Sequence, residues 1–486
     1  MEWEPILLLL PVLFPMAGGG VMLLTPHLGK RRREFWTELV ACATSVMTWL
    51  LLANVPRDSV VTVYSFINGF SVGFMLDGPA LLFAAMVSVM WPLAILYGFS
   101  YMEGDTRQNS FFAFYLITYG VTLSVAFAAN LVTMYVSFEM LTLVTIPLVS
   151  HKQDPDSAYA GHLYAAYCIG GASLAFIAVV LGTLDGSGTF YFGGNLASEY
   201  PPALMRLVYL VGFFGFGTKA AVFPLYIWLP KASVAPTPVT ALLHAVAVVN
   251  SGVYAVTRLT WYAFGPNLLS GTDVQAVCIL TSAFSMVFGA AMALKERHFK
   301  RRLAYSTMSN LSYILFGISL MTGRGLTGAL AHMLFHGVIK MSLFLCAGAF
   351  MHVTGKEYLY EINGEGWRMP FTFTAYTLGA LSLTGIPLFC GFVSKWRLLT
   401  AGVASGTPAA VAGTVALIVS ALLCAIYSLS VSVRAFLPRT SGPVAVREAD
   451  WRMLFPVGLF TVANVAFGVW WEPVMTFIEA VARGAV

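Results

Sequence analysis

Gly215 to Pro230 reads GFGTKAAVFPLYIWLP, a lysine set in an apolar run with Gly215 and Gly217 before it and Pro224 and Pro230 after it. Glycine and proline weaken helical hydrogen bonding on either side of the charge, so the run predicts a helix that breaks beside Lys219. The pattern returns in TGIPLFCGFVSK, Thr384 to Lys395, where Gly385, Pro387 and Gly391 precede Lys395. Unwound backbone at membrane depth is tolerated only where it is buried or lines a polar cavity. Two interrupted segments in corresponding positions of two halves are what an internally repeated transporter would show; the alternative is a pair of ordinary proline kinks.

The remaining sequence fits a membrane setting. Of 486 residues, 58% are hydrophobic and 10% charged, with a mean hydropathy of +0.78, against roughly 25% charged in a soluble domain. Apolar runs of about 20 residues, the length that crosses a hydrocarbon core, recur from end to end and predict an all-α, polytopic chain of about 14 spans. They fall near 4–24, 35–53, 78–99, 110–128, 131–149, 161–183, 205–223, 237–258, 273–294, 303–321, 326–351, 371–393, 409–434 and 453–471. The organisation expected is 1–109 with three helices, 110–258 and 273–434 as two five-helix units, and 453–486 with the last helix. The first run lacks a positive leader and is read as a retained helix rather than a signal peptide.

Of the 27 basic residues, eighteen fall in loops on one side, among them Arg31, Arg107, Lys152, Lys300, Arg302 and Arg439. Six fall on the other: Arg57, Arg206, Arg258, Arg324, Arg397 and Arg483. The positive-inside rule places the eighteen in the cytoplasm and both termini on the outer face. The three left over, Lys219, Lys340 and Lys395, lie inside or at the edge of spans.

Glu139, in NLVTMYVSFEMLTLVTIPL, is the acidic residue read deep in a span. A buried lone carboxylate is costly, and Lys219 is its expected partner. At an effective dielectric of about 20, unit charges about 4 Å apart interact by about 4 kcal/mol, enough to hold the lysine charged until the pair separates. A static ion pair is the bland alternative. In GALAHMLFHGVIKMSLFL, His332, His336 and Lys340 stand at i, i+4 and i+8 on one helix face, which reads as a proton wire. HxxxH without a Glu or Cys beside it makes a poor metal pair. His244, in TPVTALLHAVAVVNSGVYAV, is a relay candidate or a structural histidine. Asp77 reads as a helix N-cap ahead of Gly78 and Pro79, with no transport role. Cys42, Cys168, Cys278, Cys346, Cys390 and Cys424 fall singly in apolar runs, and no nucleotide, Fe–S or metal motif is visible. No cofactor is expected in this chain and no catalytic site of its own; redox energy, if used, comes from a partner.

These motifs, with LDGPALLFA, SFEMLTL, KRRLAYSTMSNLSYILFG and GIPLFCGFVSKW, resemble the antiporter-like proton-translocating subunits shared by respiratory complex I, membrane-bound hydrogenases and multisubunit Mrp Na⁺/H⁺ antiporters. The resemblance runs from about Asp77 to Lys395. It implies fourteen helices with two inverted five-helix repeats, broken helices seven and twelve, and further membrane subunits and a peripheral redox arm as partners. It assigns Glu139, Lys219, His244, His332, His336, Lys340 and Lys395 to the proton path. The family's largest complex I member continues beyond its last span into a long lateral helix, whereas this sequence stops soon after 471, so a compact middle-type, Mrp-type or hydrogenase-type subunit is expected. The leading function is a redox-coupled H⁺ channel module in the cell membrane. An Mrp-type Na⁺/H⁺ exchanger without redox chemistry and a non-transporting scaffold are the competing readings; nucleic-acid binding is not expected.

Overall fold

The computed structural model describes residues 4–25, 27–55, 60–67, 70–186, 189–196, 199–437 and 445–485. Two basic residues used above for orientation, Arg57 and Arg439, lie outside them. The first helices are α1 (Glu4–Leu24), α2 (Lys30–Asn54), α3 (Gly78–Tyr101), α4 (Gln108–Ala126), α5 (Leu131–Val149) and α6 (Pro155–Leu184). Then come α7 (Pro202–Gly217), α8 (Trp228–Ala232), α9 (Thr237–Ala245), α10 (Val248–Arg258) and α11 (Pro266–Leu269). The rest are α12 (Asp273–Lys295), α13 (Phe299–Ser319), α14 (Gly323–Thr354), α15 (Pro370–Thr384), α16 (Cys390–Ser405), α17 (Pro408–Phe436), α18 (Trp451–Val469) and α19 (Glu472–Ala482).

Among the described residues, eleven helical segments are long and apolar enough to cross a membrane. The segments at 205–223, 303–321 and 371–393 stand apart from these for physical reasons. The first and third are broken: α7 stops at Gly217, and α15 stops at Thr384 before α16 resumes at Cys390. The second, α13, is a continuous 21-residue helix rich in Lys, Arg, Ser, Thr and Asn; it is shielded at nearly every position by the bundle around it.

The all-α expectation needs one correction. Val61–Ile67 and Phe70–Phe74 form an antiparallel hairpin, β1 and β2. Phe74 bridges to Ala128, and Met75 N–H donates to Phe127 O at 2.8 Å. The hairpin is thereby tied to the short α4–α5 connection beneath it. A second difference is in the eighth span, which is interrupted between Ala245 and Val248 and ends in a π-helical turn, Leu259–Phe264. Asn250 Nδ2 caps this break by donating to Ala245 O at 2.7 Å.

Both lysine-bearing breaks hold a non-glycine residue at positive φ, Ala221 (φ 55°) and Leu388 (φ 77°). That conformation costs on the order of 1–2 kcal/mol, so the surrounding packing holds it. At the first break Gly252 of α10 lies against the chain itself: a Cβ there would stand 2.5 Å from Ala220 N and 2.8 Å from Lys219 C. We therefore expect Gly252→Ala to lower the thermal stability of the purified protein by about 1–3 kcal/mol. Gly170→Ala, where a Cβ meets nothing within 4 Å, should leave it unchanged; equal melting of the two variants would contradict the close approach.

Candidate functional site

Lysine at membrane depth needs acceptors for its N–H donors, and each buried lysine has one or two, all of them neutral oxygens. Lys219 is fully buried just past the end of α7; its Nζ donates to Phe138 O of α5 and lies 3.6 Å from the centre of the Phe138 ring. Lys340, in the middle of α14, donates to Leu303 O at 3.0 Å and to Ser306 Oγ, both on α13. Lys395, in the first turns of α16, donates to Leu383 O and Thr384 O, the last carbonyls of α15, and lies 5.0 Å from the Tyr313 ring centre. Helices leave their final carbonyls without partners and carry partial negative charge there, so the second break makes the cation's cage.

The expected Glu139–Lys219 ion pair is not formed. No carboxylate oxygen comes within 4.0 Å of Lys219 among the described residues, and Glu139, half-buried on α5, has one carboxylate oxygen buried with no hydrogen-bond partner. The residues are nevertheless close, because Lys219 grips the carbonyl immediately before Glu139, and each acts electrostatically on the other.

The α14 stripe is present as expected. The His332 and His336 rings stack with centres 5.8 Å apart, and His332 Nδ1 meets Ser394 Oγ of α16 at 2.9 Å. That places His332 one residue from Lys395. Among the described residues neither ring nitrogen of His336 has a hydrogen-bond partner, nor does either of His244; unmet buried polar groups cost about 1–3 kcal/mol each. His244, at the end of α9, stacks on Phe344 at 4.8 Å, and Lys340 Nζ lies 5.9 Å from the same ring. Lys395, His332, His336, Lys340 and His244 are thus neighbours in that order, through Ser394, the α14 spacing and the shared Phe344 ring; Lys219 and Glu139 form a separate group about Phe138. Among the described residues no three His, Cys, Asp or Glu side chains gather as a metal site.

Two sets of charges are placed differently from the sequence reading. Arg258, expected in an outer loop, is fully buried, paired with Asp77 through both terminal nitrogens and bonded to Tyr254 Oη. Asp77 does cap α3, accepting from Ala80 N at 3.1 Å, but it is also one half of this buried pair. The signal is in the sequence: the apolar run continues through Arg258 to Phe264, so the arginine sits inside a span rather than at its end. Lys300 and Arg302, counted as loop residues, are buried at 3% and 8% exposure. Arg302 donates to Leu294 O, Glu296 O and Tyr427 O, joining the α12–α13 turn to α17. Neither Lys300 nor Arg302 is therefore an exposed loop charge of the kind that orients a membrane chain.

Residues 128–422 match the family described as NADH:quinone oxidoreductase/Mrp antiporter, TM. The chain is 30% identical over 482 residues to NADH-quinone oxidoreductase subunit L of Mycobacterium tuberculosis (strain CDC 1551 / Oshkosh), covering 94% of this chain and 74% of that one. It is 32% identical over 367 residues to a Na(+)/H(+) antiporter subunit of Alkalihalophilus pseudofirmus, covering 68% and 43%. A chain of the Mrp complex from Dietzia sp. DQ12-45-1b has the same fold, with a TM-score of 0.88 at 22% identity over 100% of this chain and 98% of that one.

Breaking the outer pair should be costly, since a lone buried charge is left behind. Arg258→Met is expected to destabilise by about 3–5 kcal/mol. Arg258→Met combined with Asp77→Asn, which keeps the helix cap but removes the charge, should recover part of that loss. Thermal unfolding of the detergent-solubilised variants checks this; a double variant no better than the single would mean the pair is not the source of the effect.

Proposed function

We propose, from the premise that this chain belongs to the NADH:quinone oxidoreductase/Mrp antiporter transmembrane family, that it moves H⁺ along Glu139, Lys219, His244, Lys340, His336, His332 and Lys395. It is an antiporter-like member of that family of membrane complexes. In this reading it crosses the bilayer about fourteen times, with α7, α13 and the α15–α16 pair adding three crossings to the eleven long apolar segments. Two inverted five-helix repeats place the breaks at Lys219 and Lys395 in equivalent positions, which the positive-φ residues Ala221 and Leu388 support. Both termini face outward, on the excess of basic loops.

The observation that carries the function is the absence, among the described residues, of a carboxylate within 4.0 Å of Lys219, Lys340 and Lys395. An unpaired cation deep in an apolar bundle is costly, and unlike Arg302, whose guanidinium keeps its charge on carbonyl oxygen, a lysine can lower that cost by releasing a proton. An ammonium held by carbonyl and hydroxyl oxygens can give up its proton without breaking an ion pair. Glu139, close but unpaired, biases Lys219 through space, so movement of either element changes which of them holds the proton. Partner chains of the complex, other antiporter-like chains and a peripheral redox arm among them, supply the driving energy.

Lys219→Ala is expected to abolish proton movement in vesicles carrying the assembled complex. Lys219→Arg should do nearly the same, since guanidinium does not deprotonate at usable pH. Glu139→Gln and the double variant His332→Ala, His336→Ala should each impair movement with the complex's composition unchanged on a gel. Wild-type pumping by the arginine variant would make Lys219 a fixed charge and remove the centre of the mechanism.

The 32% identity to a Na(+)/H(+) antiporter chain favours a second reading, cation exchange without redox chemistry. Purification of the native complex separates the two. Flavin, nickel or Fe–S proteins in the complex are expected on the redox reading; a complex of small membrane proteins alone, exchanging Na⁺ for H⁺, would replace it with the second.

A further inference from the structure

Lys300 is a fourth buried lysine, the second residue of α13, and the proton line described above does not include it. It is 3% exposed, and its Nζ donates to Ala235 O at 2.9 Å. Its position is unfavourable on three counts. The side chain is out of water, it sits at the positive end of the helix dipole, and the like charge of Lys152 acts on it, offset in part by Glu357. A single hydrogen bond to a carbonyl does little to offset these costs, so the ionisable group calls for a further role.

The surroundings connect it in both directions. Inward, Lys340 takes its two acceptors, Leu303 O and Ser306 Oγ, from α13 at three and six residues past Lys300. At 1.5 Å per residue those anchors lie roughly 5–9 Å further along the helix. Lys300 and Lys340 both act electrostatically on His244, whose two ring nitrogens have no partner among the described residues. Outward, His298, two residues before Lys300, meets Glu357 at 3.3 Å, with side-chain exposures of 12% and 48%. Phe299 N–H also donates to Glu357 O at 2.9 Å, holding this surface pair over the start of α13.

We propose that Lys300 is the residue through which protons from the face bearing His298 and Glu357 reach the buried line. The inference rests on the reading that this line carries protons. The Lys300 ammonium gives its proton, through bridging water, to the neutral imidazole of His244 and becomes a free amine. The amine is then recharged by a proton taken up from the aqueous phase at the His298–Glu357 pair, and His244 hands its extra proton on to the free-amine form of Lys340, which shares the Phe344 ring with it, so that His244 is neutral again and one proton has moved inward.

The test uses the assembled complex in vesicles, with proton movement followed by a pH dye and assembly checked by native gel. Lys300→Met and Lys300→Arg are both expected to slow proton movement by about a hundred-fold, the scale of losing a positioned proton carrier. Arginine preserves the charge and the donor to Ala235 O, so a wild-type rate in that variant would reduce Lys300 to a structural donor and overturn the proposal. Should the lysine variants fail to assemble, the exposed pair decides: His298→Ala with Glu357→Gln is expected to slow uptake several-fold, increasingly as the pH on that face rises, and a wild-type rate overturns it. Lys219→Ala run alongside separates the two levels of the argument. If it too pumps normally, the buried line itself is not the proton path; if it is dead while Lys300→Arg is unaffected, only the role of Lys300 fails.

Discussion

An ammonium group inside an apolar bundle has to be solvated by the protein, and the supply of free backbone oxygen decides where it can sit. Regular helices spend their carbonyls on their own N–H groups. Interrupting a helix releases some of them, and the α15 terminus shows how. Gly385 N–H bonds back to Leu381 O and Ser382 O, and Ile386 N–H to Leu381 O, which leaves Leu383 O and Thr384 O for Lys395. Gly385 (φ 96°) closes that turn in a conformation other residues resist. The glycine, the broken helix and the buried lysine are thus one structural device.

The same constraint organises the helices that are not broken. α14 runs 32 residues without interruption and packs against α9, α13, α15, α16 and α18. It is a continuous stave on which His332, His336 and Lys340 keep their one-face spacing, while their contacts lie on one interrupted and one continuous neighbour. His332 reaches α16 just past a break, and Lys340 reaches the continuous α13. Any rearrangement of the α15–α16 break would move the partner of His332 directly, whereas the acceptors of Lys340 lie within an unbroken helix. This contrast gives one end of the stripe a route by which rearrangement elsewhere could alter it.

Much of this is legible in the sequence. The run 131–149 coincides with α5 residue for residue, and most other spans agree to within a few residues, because apolar length is a strong signal. The breaks at Lys219 and Lys395 are readable from clustered Gly and Pro. The break after His244 is not: Ala245, Val246 and Ala247 carry no helix breaker, and the side chain that caps the interruption, Asn250, stands five residues on from the carbonyl it bonds. The strands Val61–Ile67 and Phe70–Phe74 escape notice because they are short and neither alternates buried with exposed positions: β1 is exposed along nearly its whole length and β2 is at least partly buried throughout. Among site residues, types and helix positions are legible but distances are not; charge complementarity pairs Glu139 with Lys219, while the fold gives that lysine the adjacent carbonyl. Lys300, Arg302 and Arg258 are misplaced when a charge near a span boundary is taken as a charge in water.

The buried cations divide by chemistry in a way that bears on what each can do. Arg258 sits against Asp77 with Tyr254 completing the set, and guanidinium stays protonated throughout any usable pH range. That pair is a permanent clamp between the α3 start and the α10 end. Among the described residues, Lys219, Lys300, Lys340 and Lys395 have no carboxylate within 4.0 Å and rest on neutral oxygen. Arg302 rests on carbonyl oxygens as the lysines do, yet its charge is as permanent as that of Arg258. Residue type rather than pairing therefore separates the buried charges that stay fixed from those whose side chain can titrate.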